Sequence, residues 1–94
     1  MYAAVRQYSG VTDPAEAGRR VNEGFVPLMR GIPGLLAYYW VDAGNGVMVS
    51  TSVFESEAGA EESVQQAAAF VRDNLTSLLP NPPQVFAGQV VASA

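Results

Sequence analysis

Gly34-Leu35-Leu36-Ala37-Tyr38-Tyr39-Trp40-Val41-Asp42, then Gly44-Asn45-Gly46, then Val47-Met48-Val49-Ser50-Thr51-Ser52-Val53-Phe54, reads as a β-hairpin that is apolar or aromatic on both faces. Glycine and asparagine tolerate the positive φ that a tight connection requires, so the pattern predicts a three-residue loop over 44–46. That loop sets Trp40 opposite Ser50, Tyr38 opposite Ser52 and Leu36 opposite Phe54. On the other face Val41 meets Val49, Tyr39 meets Thr51 and Ala37 meets Val53. A chain of 94 residues can cover one side of such a sheet with its own helices, which leaves the second side for a partner. The hairpin thus predicts a homodimer before it predicts a chemistry.

Outward from the hairpin, Tyr2 to Tyr8 alternates as a first strand, with Ala3, Val5 and Gln7 on one side and Tyr2, Ala4, Arg6 and Tyr8 on the other. Asp13-Pro14-Ala15-Glu16 marks a helix start three times over: an N-cap carboxylate, proline at the first helical position, and glutamate in capping-box register. Gly18, Val21, Phe25, Leu28, Met29 and Ile32 follow at the spacing of one helical face. Pro27 lies inside that run and predicts a kink or break in its last turn, before Gly31-Ile32-Pro33-Gly34 stops the helix. After the hairpin, Glu55-Ser56-Glu57 brings acid to the start of a second helix, whose stripe is Ala60, Val64, Ala67, Ala68, Val71, Leu75, Leu78 and Leu79. Pro80-Asn81-Pro82-Pro83 ends it, Gln84 to Val91 reads as a last strand, and Ala92-Ser93-Ala94 as a loose tail. Glu16-Ala17-Gly18 recurs as Glu57-Ala58-Gly59, each just inside a helix start, as a doubled βαβ unit would have it. The expected fold is an α+β, ferredoxin-like βαββαβ sandwich, with residues 1–94 forming one domain.

Only 15% of the residues are charged, against about 25% in ordinary soluble chains, and 49% are hydrophobic. Such a surface suits a protein that buries part of itself in an oligomer. The net charge is −4, lysine is absent, and the arginines at 6, 19, 20, 30 and 72 are scattered, which argues against a nucleic-acid partner. Neither cysteine nor histidine occurs, so disulfides, thiolate nucleophiles, imidazole bases and the commonest metal and haem ligands are all missing. No glycine-rich nucleotide loop stands at a strand-to-helix turn. The expectation is therefore a protein needing no metal, flavin or haem cofactor, with carboxylate, tyrosine, serine and arginine side chains for whatever chemistry it performs. No apolar run approaches a membrane span and the N-terminus lacks a secretory leader pattern, so the default location is the cytoplasm, with no membrane partner.

The parity of the hairpin places large aromatics opposite small hydroxyls on its even-numbered face, an arrangement that leaves a hollow more readily than uniform filling. Arg6, Tyr8, Tyr38, Trp40, Ser50, Ser52 and Phe54 would line it, with Phe25 and Met29 of the first helix closing it from above. A bulge would reverse this assignment. Each residue has a plainer reading: the aromatics as core, and Arg6 either paired with an acid such as Asp42 or at a solvated rim. Ser50 and Ser52 have no histidine to activate them, which leaves a hydrolase without its base.

Three features together resemble a family: the βαββαβ order, Ile32-Pro33-Gly34 at the entry to the second strand, and Ser52-Val53-Phe54-Glu55-Ser56 running from the third strand into an acidic helix start. The chain is similar over nearly its whole length to the antibiotic biosynthesis monooxygenase group of the dimeric α/β-barrel superfamily. That resemblance implies a homodimer whose sheets pack into one barrel, a small pocket per subunit between sheet and helices, and oxygenation of a small aromatic or polyketide-type substrate without flavin, metal or haem. Members that act on haem carry an aromatic where Phe54 stands, an Asn near Arg6 and a His on the second helix; the missing His argues against haem degradation here. Quinone-forming relatives line the pocket with Trp, Tyr, Asn and Arg, and Trp40, Tyr38, Tyr8 and Arg6 offer similar chemistry: Arg6 to stabilise a phenolate, Tyr8 or Tyr38 to relay a proton, Trp40 and Phe54 to stack. The competing expectation is a noncatalytic homodimer that binds a small aromatic ligand, or an orphan of this fold.

Overall fold

A computed structural model describes residues Met1–Ala94. The elements are β1 (Tyr2–Tyr8), α1 (Pro14–Arg20), a π-helical turn (Val21–Phe25), α2 (Val26–Arg30), β2 (Leu35–Gly44), β3 (Val47–Phe54), α3 (Glu57–Asn74) and β4 (Gln84–Gln89). The strands form one sheet in the order β2-β3-β1-β4, every neighbouring pair antiparallel, and the helices cover one side of it. This is the ferredoxin-like α+β arrangement that the element order implies.

Local chemistry explains the helix boundaries. The Asp13 side chain accepts the Glu16 N–H at 3.1 Å, and Pro14 occupies the first helical turn. Glu16 also pairs with Arg19 and Arg20, and the Arg19 hydrogen bond holds its carboxyl below the usual range. Asp13→Ala should therefore cost about 1 kcal/mol and lower the melting temperature by roughly 4–8 °C, read from a thermal melt by circular dichroism. Pro27 does disturb its helix, but one turn earlier than expected. Lacking an N–H, it cannot satisfy the Glu23 carbonyl, and the preceding turn widens so that the N–H of Val26 reaches the carbonyl of Val21. α3 ends at Asn74, short of the expected Leu79, because the Thr76 hydroxyl donates to the Arg72 carbonyl at 2.7 Å and takes the acceptor its own backbone N–H would use. Leu75, Leu78 and Leu79 stay buried in the turns that follow. Two stripe residues face outward instead, Leu28 (47% exposed) and Ala68. β4 stops at Gln89 rather than Val91, with one further bond from the Val90 N–H to the Met1 carbonyl.

The hairpin reaches the expected register by a different route. Only Asn45 (φ 56°) and Gly46 (φ 75°) form the loop, and Gly44 pairs with Val47. A two-residue loop alone would shift parity, but Ala43 is an extra residue between the paired Asp42 and Gly44, and this bulge restores it. Trp40 lies opposite Ser50, Tyr38 opposite Ser52, Tyr39 opposite Thr51, Val41 opposite Val49 and Ala37 opposite Val53. At the base a second bulge displaces Leu36: Phe54 pairs with Leu35, and Leu36 is 50% exposed. On the helix side Ala4, Arg6, Tyr8, Met48, Ser50, Ser52 and Phe54 are buried. On the outer side Tyr39, Val41 and Phe86 stand largely in the open. No helix is long and apolar enough to cross a membrane.

Candidate functional site

The inward face is organised in rows that run across the strands. Trp40 of β2 pairs with Ser50 of β3, and Ser50 pairs with Arg6 of β1. The next row is Tyr38, Ser52 and Ala4. A serine thus stands beside the large side chain of β2 in each row, and the rows continue through Arg6 and Ala4 of β1 to Val85 and Ala87 of β4. Tyr8 leans across to Trp40, ring centroids 5.5 Å apart, and Phe25 of the π-helical turn meets Tyr38 edge-on at 5.6 Å.

Arg6 is 7% exposed and takes part in none of the ion pairs of the molecule. Its Nε donates to the Tyr8 hydroxyl at 3.0 Å, and its guanidinium carbon lies 5.8 Å from the centre of that ring. Of the plainer readings neither holds: Arg6 is not at a rim, and the Asp42 carboxylate instead accepts the Gly44 N–H at 3.0 Å. Its guanidinium is thus held largely under the helices without a carboxylate. Tyr38 has its pKa pushed up, first by burial and then by the neighbouring Tyr8; Ser50 and Arg6 act the other way. It therefore remains a neutral phenol, a donor and not a base, through neutral and mildly alkaline pH. The Trp40 Nε1 is buried and makes no hydrogen bond.

Two small voids adjoin these groups. One, about 10 Å³, touches Arg6, Met29, Ser52 and Ser63. The other, also about 10 Å³, touches Tyr8, Trp40, Phe70 and Leu75. Phe25, Tyr38, Ser50 and Ala67 border both. Each void has room for about one water. The structure thus brings together Arg6, Tyr8, Phe25, Met29, Tyr38, Trp40, Ser50 and Ser52. Phe54 stands apart from both voids: its ring is fully buried against Gly59, where a Cβ would come within 2.7 Å of Cδ1. Ser63 and Phe70 were missing from the sequence-based set. Ser63, Ala67 and Phe70 recur at helical spacing, but a search for apolar stripes passes over a serine, and Ser63 hides its polarity by donating to the Ala60 carbonyl at 2.7 Å. No cluster of three acidic, His or Cys side chains suited to a metal is present.

No protein-family model matches the chain. No curated protein matches it in sequence. Solved structures do. A protein of unknown function from Nitrosomonas europaea superposes with a TM-score of 0.78 at 22% identity, covering 99% of this chain and 91% of its own. A monooxygenase from Streptomyces coelicolor, ActVA-Orf6, solved in complex with nanaomycin D, gives 0.71 at 24% identity, covering 98% and 92%. SnoaB from Streptomyces nogalater, a cofactor-independent oxygenase, gives 0.72 at 13% identity, covering 98% and 94%. At these identities the likeness is one of fold: the chain has the fold of antibiotic biosynthesis monooxygenases.

Proposed function

We propose that this chain is a homodimeric, cofactor-independent monooxygenase acting on a small phenolic aromatic or polyketide-type substrate. The observation that carries the reading is Arg6, a buried cation with no carboxylate, held by Tyr8 among aromatic rings. A buried charge left alone is expensive, and a ligand anion would relieve the cost. Trp40, Tyr8, Tyr38 and Phe25 offer ring faces for stacking. The fold shared with two oxygenases supports the same reading.

The chemistry suits a substrate with a phenol conjugated to a ring methylene. Arg6 favours the phenolate, which delocalises charge onto the methylene carbon. The electron-rich ring reduces dioxygen, the carbon–oxygen bond forms as a hydroperoxide, and loss of water leaves a ketone. The methylene and dioxygen thus become a carbonyl and one water, with no outside reductant. In this reading Tyr38, kept protonated, donates to the departing peroxide oxygen. Incubation with a hydroxylated anthrone under air should consume one dioxygen per quinone formed, followed by oxygen electrode and absorbance. Neither uptake nor quinone above the uncatalysed rate would remove the reading.

Arg6→Ala separates an anion site from a structural arginine. Affinity for an ionised phenol should fall about 10- to 100-fold, the range of a hydrogen bond to a charged group. Affinity for the corresponding methyl ether should change little. Equilibrium dialysis of both compounds gives the comparison, and an equal loss for the two would make Arg6 structural.

The small voids favour a second reading, that the chain binds a ligand without transforming it, because a substrate must first part Phe25 from Tyr38. Phe25 is carried by the π-helical turn, where the helix departs from its i→i−4 hydrogen bonding. The assembly belongs to either reading. Tyr39, Val41 and Phe86, with half-buried Val5, Val49, Thr51 and Val53, form an uncharged outer face, and a second copy of the same sheet is its complement.

A further inference from the structure

Trp40 supplies the one buried side-chain nitrogen or oxygen without a hydrogen-bond partner. A buried N–H left unpaired is costly, and cores are filled more cheaply by phenylalanine when only the ring is needed. The pyrrole edge of the indole faces α1, with Cδ1 3.9 Å from where a Cβ on Gly18 would stand. Beside it lies an outer cleft of about 250 Å³ between the first helical segments and β2, bordered by Gly18, Val21, Asn22, Val26, Tyr38 and Trp40. Val21, Tyr38 and Trp40 also border the inner void, so the indole stands between cleft and interior.

Trp40 and Arg6 flank Ser50 in one cross-strand row, which continues to Val85 of β4. Their backbones are two strand spacings apart, about 10 Å. A fused two- or three-ring aromatic has that span, and the two voids that meet at Ser50 would open into one space for it once Phe25 parts from Tyr38. We infer that the outer cleft is the mouth of the site and that Trp40 Nε1–H donates to a neutral acceptor oxygen of the ligand. The inference rests on the reading of Arg6 as the phenolate anchor. The ligand is then a fused aromatic with an anionic oxygen at one end and a ketone or quinone carbonyl at the other.

Two compounds of one shape test this: 6-acetyl-2-naphthol, which has both oxygens, and 6-ethyl-2-naphthol, which has only the phenol. Calorimetric titration should show Trp40→Phe lowering affinity for the acetyl compound about three- to tenfold, the range for a neutral hydrogen bond. Affinity for the ethyl compound should be unchanged. The same factor for both, or no effect on either, overturns the inference; if the ethyl compound still binds the parent protein in an Arg6-dependent way, the phenolate reading survives that result. Binding of neither compound to the parent protein removes both. A second measurement needs no variant. Trp40 is the single tryptophan, so the parent protein has one indole N–H resonance. That signal should move downfield with the acetyl compound and not with the ethyl compound, and equal behaviour with both overturns the assignment.

Discussion

Phe54→Ala is expected to remove about 3–5 kcal/mol of folding stability, the range for deleting a large aromatic from a core. Its ring is fully buried, and it joins the sheet to α3: the side chain lies against Gly59 in the first turn of the helix, and the backbone pairs with Tyr2 on one side and Leu35 on the other. Gly59 has no Cβ, so helix and strand approach more closely there than any other residue would allow, and the cavity left by alanine has little chance to collapse. Domains of this size have a total stability of about 5–15 kcal/mol, so the loss is a large share of the whole. Urea titration followed by circular dichroism gives the value. A loss below about 1 kcal/mol would mean that Phe54 does not hold α3 to the sheet.

Val49→Asp addresses the outer face. Val49 lies opposite Val41 and beside Gln7, and is half-buried in the single chain. An aspartate there can reach water in the monomer, but a second sheet laid over it would bury an unpaired charge at a cost of several kcal/mol. Dimer affinity should fall on the order of a thousandfold, while the fold of the chain is kept. Sedimentation velocity at micromolar concentration should give twice the chain mass for the parent and the chain mass for the variant. A variant that sediments with the parent would show that this face is not where the copies meet.

The fold was legible because its punctuation is local. Asp13-Pro14 and Glu16 start a helix by contacts within one turn, and alternation in β1 and β3 separates two faces by geometry alone. The register of the hairpin was legible in its result and not in its cause, since glycine and asparagine indicate a turn without saying how many residues sit in it, and Ala43 offsets the shorter loop. The bulge at Leu36 was hidden because leucine fits either side of a pleat. The π-helical turn is likewise the response of backbone carbonyls to Pro27, which a count of apolar positions does not register. Parity correctly gathered Arg6, Tyr8, Tyr38, Trp40, Ser50 and Ser52 on the inner face, but it could not show that Phe54 is withdrawn from the voids, because that depends on the approach of Gly59. Nor could it show that Arg6 takes part in no ion pair, while the Asp42 carboxylate is engaged by its own turn.

β1 is hydrogen-bonded to β3 on one side and β4 on the other, with Tyr2 opposite Phe54 and also opposite Gln89. β1 leaves the ribosome before β3 and β4 and has no neighbour until the hairpin has been made, and the sheet cannot close until β4 emerges, which at about 5–20 residues per second takes several seconds. During that interval a strand with both edges bare is open to pairing with another nascent chain. The same arrangement makes refolding depend on contacts between distant parts of the sequence, which is slow compared with helix formation. Synthesis of this chain at high density on crowded polysomes should thus favour aggregates seeded by β1, and a chaperone that holds the first strand until β3 arrives should raise the yield of folded protein.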